Sequence, residues 1–383
     1  MSFATLALIG AVALAGPLLA LIRRFSLPML LGELMAGIAL GATGAGVLHA
    51  DNKTFVFLAN VGFALVMFVA GSHVPVRDAR VRAALRVGGL RAVGVGVVSA
   101  GLGLLLAHLF STGHAPLYAV LLASSSAALI LPLLEQVGVS GGDALTTIAQ
   151  VAVADTACIV ALPLVIEPSK AGRAALGALA VAAATLVVWA AFAWAQRSGY
   201  RRRMHKLSEQ RHFALELRIS LTLLFALAAL ATATHVSVML AGFGIGLAVA
   251  AIGEPRRLAH QLFALTEGFF GPLFFVWIGA ALDLRALSGH PKYIPVGIAL
   301  GAAAVLAHGS MRLAGQPGSA AVVTSAQLGV PIAAVTLGTQ QHLLHTGEPA
   351  AILLGALVTI AAATVAARRQ PTVTADGPES SYL

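Results

Sequence analysis

Charge is what this chain lacks. Only 10% of its 383 residues are Asp, Glu, Lys or Arg, against about a quarter in soluble domains, which leaves too little polar surface for a soluble enzyme. Cysteine is scarcer still: the single Cys158 sits inside an apolar run, so an intramolecular disulfide framework is excluded. No basic residue precedes the first apolar run, 3–22, whereas Arg23 and Arg24 follow it. That order reverses a secretory leader, and the run is expected to stay as a membrane span. There is no nucleophile with a base partner in reach along the sequence and no metal-ligand spacing, so neither enzymatic chemistry nor a cofactor is expected.

What is abundant is apolar. Hydrophobic residues make up 58% of the chain, mean hydropathy is +0.90, and there are 40 glycines. Small residues let helix backbones approach closely in lipid. The expected fold class is an all-α polytopic membrane protein. The net charge of +9 would suggest nucleic acid in a soluble chain; here basic residues mark cytoplasmic loops instead, and no nucleic-acid partner is expected.

Crossing the hydrocarbon takes about 20 apolar residues. Such runs lie near 3–22, 28–48, 55–72, 87–110, 115–134, 143–166, 174–196, 213–234, 236–252, 262–283, 293–311, 318–340 and 348–367, which is 13 spans. The loops test the count. With the first loop cytoplasmic, that side holds Arg23, Arg24, Arg77, Arg80, Arg82, Arg86, Arg197, Arg201, Arg202, Arg203, Lys206, Arg211, Arg256, Arg257, Arg312, Arg368 and Arg369, which is 17. The other side holds Lys53, Lys170, Arg173, Arg285 and Lys292, which is 5. Arg91 and Arg218 fall inside spans near their cytoplasmic ends and are expected to snorkel. A bias this consistent predicts the amino terminus outside and the carboxyl terminus in the cytoplasm.

The third span ends FVAGSHVPVR (68–77) and the tenth VWIGAALDLR (276–285), aligning Gly71 with Gly279 at an offset of 208. Seven spans separate the copies, so they point oppositely across the membrane. The same step carries the fifth span to the twelfth, and both look interrupted. One holds Ser124, Ser125 and Ser126 followed by Pro132; the other holds Thr324, Ser325, Gln327, Gly329 and Pro331. Hydroxyls beside Gly or Pro are what a helix needs when it breaks inside a membrane and must satisfy freed backbone groups. Paired broken helices in inverted halves point to a transporter's binding site; ordinary small-residue helix packing is the alternative. Spans 1–6 and 8–13 are thus read as inverted repeats within one domain, 1–369, with span 7 (174–196) as the link and 370–383 as a disordered polar tail.

Acidic residues number 15, and one is badly placed for lipid. Asp155 lies at the middle of the span 143–166 among Val151, Ala152, Val153 and Ala154. A carboxylate there is costly unless protonated, paired or bound to a cation. Proton and cation therefore exclude one another at such a group, which is the chemistry of exchange. The alternative is an Asp kept neutral by a neighbouring helix.

At these residues the chain resembles the monovalent cation/proton antiporter superfamily, sodium/hydrogen exchanger-like. The segments are Leu27 to Gly37 (P-x-x-x-G-E-x-x-A-G), Leu65 to Gly71, Leu240 to Phe243 and Pro272 to Gly279, and the likeness runs over about 5–366. It implies a homodimer in the cell membrane, with a core of six helices moving against a dimerisation bundle. It places Asp155 on the family's ion-binding aspartate, in a register supported by Glu135, and Ser124 to Ser126 on the hydroxyl-bearing break. Together with Thr324, Ser325 and Gln327 these are the expected ion and proton ligands, with no metal beyond the transported cation. Three positions depart from the pattern. Ala154 stands where relatives carry a polar residue, His308 stands near a core Lys position, and Gln327-Leu328-Gly329 replaces an Arg-Gly-Glu-like sequence. His308 could sense pH, partner Asp155, or simply face the cytoplasm. No appended nucleotide-binding domain is expected, and Arg201 to Arg203 read as a topology anchor. The expected activity is exchange of Na+ or K+ for H+. An organic-anion symporter on the same scaffold and a transport-inactive membrane sensor or assembly protein are the alternatives.

Overall fold

In the computed structural model, residues 3–20, 29–72, 79–127, 129–130, 133–134, 141–166, 171–200, 213–234, 236–253, 256–282, 285 and 289–368 are described. Glu135, Pro132, Arg77, Pro28, the loop 201–212 and the tail from 369 lie outside them. The described residues are helical throughout, with no strand among them.

The helices follow the apolar runs. The first span is α1 (Phe3–Ala13) and α2 (Ala15–Ala20), and the next four helices are α3 (Met29–Leu40), α4 (Lys53–Ser72), α5 (Ala79–Leu109) and α6 (Ala115–Ala123). Then come α7 (Gly141–Ile166), α8 (Ala171–Arg197), α9 (Leu215–Ala233) and α10 (Val238–Ile252). The tenth run is α11 (Arg256–Leu265), a π turn (Thr266–Phe270) and α12 (Gly271–Ala281) in succession. Last are α13 (Tyr293–Gly309), a 3₁₀ turn (Ser310–Ala314), α14 (Gly318–Val323), α15 (Gly329–Gln340) and α16 (Glu348–Arg368). Eight described helical stretches are long and apolar enough to cross a membrane unbroken. Of the remaining five runs, the first is split between α1 and α2, α3 and α10 are short, and the fifth and twelfth are cut by the predicted interruptions.

Local chemistry sets the ends. Ser237 caps α10, its hydroxyl accepting the Met239 N–H at 3.2 Å. Pro116 and Pro272 occupy the first turns of α6 and α12, where a missing N–H costs nothing. Gly315, at φ 76°, ends the 3₁₀ turn in the left-handed region that glycine enters freely.

Packing divides the chain into two bundles. One comprises α1–α4 and α8–α12, the other α5–α7 and α13–α16; recurring contacts between them run from α7 to α8 and α10. In the first bundle, α4 lies along α10 and α3 along α12. A Cβ on Gly71 would strike the Phe243 carbonyl and sit 3.1 Å from Gly246 Cα, while one on Gly279 would strike the Leu34 carbonyl and sit 2.9 Å from Gly37 Cα. These are two copies of one backbone-to-backbone contact, and they fall at the two glycines aligned by the 208-residue offset. In the second bundle, α5 packs on α7 and α13 on α16.

One expectation changes. Arg91 does not snorkel: it is buried between α5 and α7, donating from Nη1 to Thr146 Oγ1 at 3.1 Å. The close approach of these helices at Gly88, whose Cβ would lie 2.8 Å from Ala149 Cβ, leaves its side chain a polar partner nearer than water. Arg218 is exposed, as a snorkelling residue should be. Glu348 is fully buried at the start of α16.

Candidate functional site

The two interruptions meet. Helix α6 ends at Ala123, and Ser124 to Ser126 run as non-helical chain; α14 ends at Val323, and Thr324 to Leu328 do the same before α15 begins. All of Ser124, Ser125, Ser126, Thr324, Ser325 and Gln327 are buried. Breaking a helix there strands N–H and C=O groups that must pair internally. They pair with the other break: Ser126 N–H donates to Ala326 O at 2.9 Å, and the Ser125 hydroxyl to Thr324 O at 2.8 Å. The Ser124 hydroxyl donates to Gln327 Oε1, which joins the crossing through side chains as well. Ser325 satisfies its own turn instead, donating to Val322 O at 2.7 Å.

Asp155 reaches this crossing from α7. Its Oδ2 accepts the Ala127 N–H, the first helical residue beyond the serine break, at 3.3 Å. That bond is long, and among the described residues it is the only partner of a carboxylate that is 6% exposed. Ala154 and Cys158 on the same helix bring no charge. The arrangement suits a group whose charge is completed by a proton or a small cation.

His308 is 0% exposed, which rules out the reading in which it faces the cytoplasm. Nor does it pair with Asp155: its Nδ1 lies 3.0 Å from the Thr324 hydroxyl, and the backbone of Leu122 and Ser124 lines the ring. It supports both breaks from behind.

Sequence reasoning missed a polar layer one to two turns from Asp155 on α7. Gln150 is 0% exposed, with neither amide atom partnered among the described residues, and Gln316 Nε2 reaches Thr147 Oγ1 at a weak 3.4 Å. The signal that could have found it is the sequence Thr146-Thr147-Ile148-Ala149-Gln150, too polar for a lipid-facing stretch.

On the opposite side, a cavity of about 440 Å³ separates the bundles. Asp51, Val56 and Trp277 line it from one, Ile332, Thr336 and Leu353 from the other. Ile332 is one turn, about 4.5 Å, from Gly329 where the second break ends. A Cβ on Gly329 would sit 3.7 Å from Met67 and Met239, two thioethers of the facing bundle. Such flexible side chains accommodate a neighbour that shifts.

Residues 10–368 match the family model described as sodium/hydrogen exchanger, transmembrane. The chain is 28% identical over 274 residues to the Na(+)/H(+) antiporter NhaS5 of Synechocystis sp., covering 69% of this chain and 38% of that protein. It thus spans well under half the length of this relative. Two structures of the sodium proton antiporter MjNhaP1 from Methanocaldococcus jannaschii superpose with TM-scores of 0.62 and 0.67 at 14% identity. The two cover 94% and 95% of both chains, respectively, which shows a shared fold.

Proposed function

The chain belongs to the sodium/hydrogen exchanger transmembrane family, and from that premise we propose that it is a secondary active transporter exchanging Na+ or K+ for H+ at Asp155. It is a transporter rather than an enzyme. The observation that carries the residue assignment is the contact between Asp155 and the crossing: a buried carboxylate with one long hydrogen bond beside two interrupted helices.

In this reading the carboxylate holds a proton or a cation, never both. Ser125, Ser126, Thr324 and Gln327 set the shape of the crossing, and carbonyls freed by the breaks supply further oxygens for a dehydrated alkali ion. His308 holds Thr324 in place. The second bundle moves against the first, exposing Asp155 alternately toward the cavity at Ile332 and toward the polar layer at Gln150. The matched glycine contacts support an inverted repeat of spans 1–6 and 8–13, and the charge bias supports a cytoplasmic carboxyl terminus in the cell membrane. Two copies pair through the bundle of α1–α4 and α8–α12, whose helix α8 carries exposed Leu176, Leu179, Leu186 and Trp194.

The experiment is cation-driven proton movement in proteoliposomes with an imposed pH gradient, comparing wild type with Asp155→Asn. The variant keeps an acceptor for the Ala127 N–H and should fold, yet lose exchange. Retained exchange in a correctly folded variant would end the assignment.

A further inference from the structure

A second cluster of ionisable groups lies at the far end of α6 from the crossing, and the exchange cycle has no use for it. His114 precedes α6, His345 sits in the turn after α15, and Glu348 opens α16. Glu348 is fully buried, His114 is a quarter exposed and His345 faces solvent. The carboxylate is held from several sides: Oε1 accepts from the Tyr118 hydroxyl at 2.8 Å and lies 2.7 Å from His114 Nδ1, and Oε2 accepts the His345 N–H at 3.0 Å. The two imidazoles stack with centroids 5.2 Å apart. One nitrogen from each ring and one carboxylate oxygen all lie within 4.8 Å of one another.

We propose that His114, His345 and Glu348 form a binding site for one divalent transition-metal ion of the Zn2+, Co2+ and Ni2+ class. Two nitrogens and one oxygen from protein, with a fourth position left to water, are the donor set of an open tetrahedral site. Imidazole donors select these ions over Na+, K+, Mg2+ and Ca2+, so the bound ion differs from the transported one. The partners of the ligands fit as well. His345 Nε2 lies 3.3 Å from the Thr112 carbonyl; donation there leaves Nδ1 with the lone pair, the arrangement that orients metal-binding histidines. Tyr118 and the His345 N–H fix the carboxylate in the same manner. A dication beside neutral imidazoles also compensates the buried charge of Glu348, which is costly to leave alone.

Binding needs the ligands to shift, because donor atoms as much as 4.8 Å apart must also draw together. Tetrahedral ligands with bonds near 2.05 Å stand about 3.3 Å apart, so the 2.7 Å contact of His114 with Glu348 must open by about half an ångström. His114 and His345 both lie in turns at the surface, where that shift is easily made. The sequence hides the site because His114 and His345 are 231 residues apart, and only the bonds of Tyr118 and His114 to Glu348, at the outer end of α6, join them. A bound ion would tie the outer end of α6 to the start of α16, on the same helix whose inner end forms the first break.

The competing account is a hydrogen-bonded pin with no metal. The test uses the full-length purified chain, stripped with chelator and titrated with Co2+ while visible absorption is followed, then challenged with Zn2+. The proposal expects one Co2+ per chain with the intense absorption of tetrahedral coordination, displaced by Zn2+. Affinity should fall at least tenfold in His345→Ala and in His114→Ala, and stay within twofold in His342→Ala, an exposed histidine of the same turn. His345→Ala is the safer variant, because its backbone N–H still serves Glu348 and folding is preserved. Absence of the tetrahedral band, or unchanged affinity in both histidine variants, would overturn the site and leave the pin.

Discussion

Gly71 and Gly279 give the sharpest test of the internal symmetry. Each glycine faces the backbone of a neighbouring helix, and an added Cβ would press on a carbonyl: Phe243 for Gly71, Leu34 for Gly279. Backbone cannot rotate away as a side chain can, so α10 or α3 must be displaced. Overpacking of this kind costs about 1–3 kcal/mol. Loss of close Cα–H···O contacts adds about 0.5–1 kcal/mol, and the better helix propensity of alanine returns about 1 kcal/mol. Gly71→Ala and Gly279→Ala should each come out destabilised, by about 0.5–3 kcal/mol. Gly101→Ala, with nothing within 4 Å of its Cβ, is the control and should be neutral or stabilising. Thermal unfolding of the three variants in one detergent gives the comparison. The two buried glycines should lower the midpoint together, and to within about 1 kcal/mol of each other. A Gly71→Ala variant as stable as Gly101→Ala, or a large inequality between the pair, would refute the equivalence of the two helix contacts.

Other consequences are simpler. Gln327→Leu removes the bond that ties the Ser124 hydroxyl to the second break, leaving that hydroxyl to Leu121 O at 2.8 Å; stability should drop by about 0.5–1.5 kcal/mol, and exchange should be lost together with it in a vesicle assay. His308→Gln can still bond Thr324, so the acid limb of the rate profile should not move; a displaced limb would return His308 to the role of proton-titrating group. Gln150→Leu replaces a buried amide having no protein partner by an apolar group of similar volume. The account predicts a higher melting temperature and slower turnover, and a destabilised variant would show that the amide is fully satisfied by water.

Much of this was legible in the sequence, for identifiable reasons. Hydropathy and the loop arginines located the spans because lipid permits few exceptions. The serine and Gly/Pro clusters marked both breaks because a helix interrupted in a membrane must carry its own hydrogen-bonding groups. Asp155 stood out because its neighbours are all apolar. Partnerships were harder. His308 pairs with Thr324 rather than Asp155 because the return of α13 toward the crossing is a property of packing, invisible in a local window. Arg91 was misread because snorkelling assumes a lipid-facing side chain, whereas tight packing at Gly88 turned it toward Thr146. Glu348 drew no attention in the sequence, because only the fold brings Tyr118 and His114 to it across more than 200 residues.

The central claim is that one carboxylate serves both ions, and the most direct measurement is the dependence of exchange on cation concentration at a series of pH values in proteoliposomes. If protons and cations compete at Asp155, the apparent KM for the cation should rise about tenfold per pH unit on the acid side, while the rate at saturating cation stays constant. A KM indifferent to pH, with the saturating rate falling instead, would contradict a shared site.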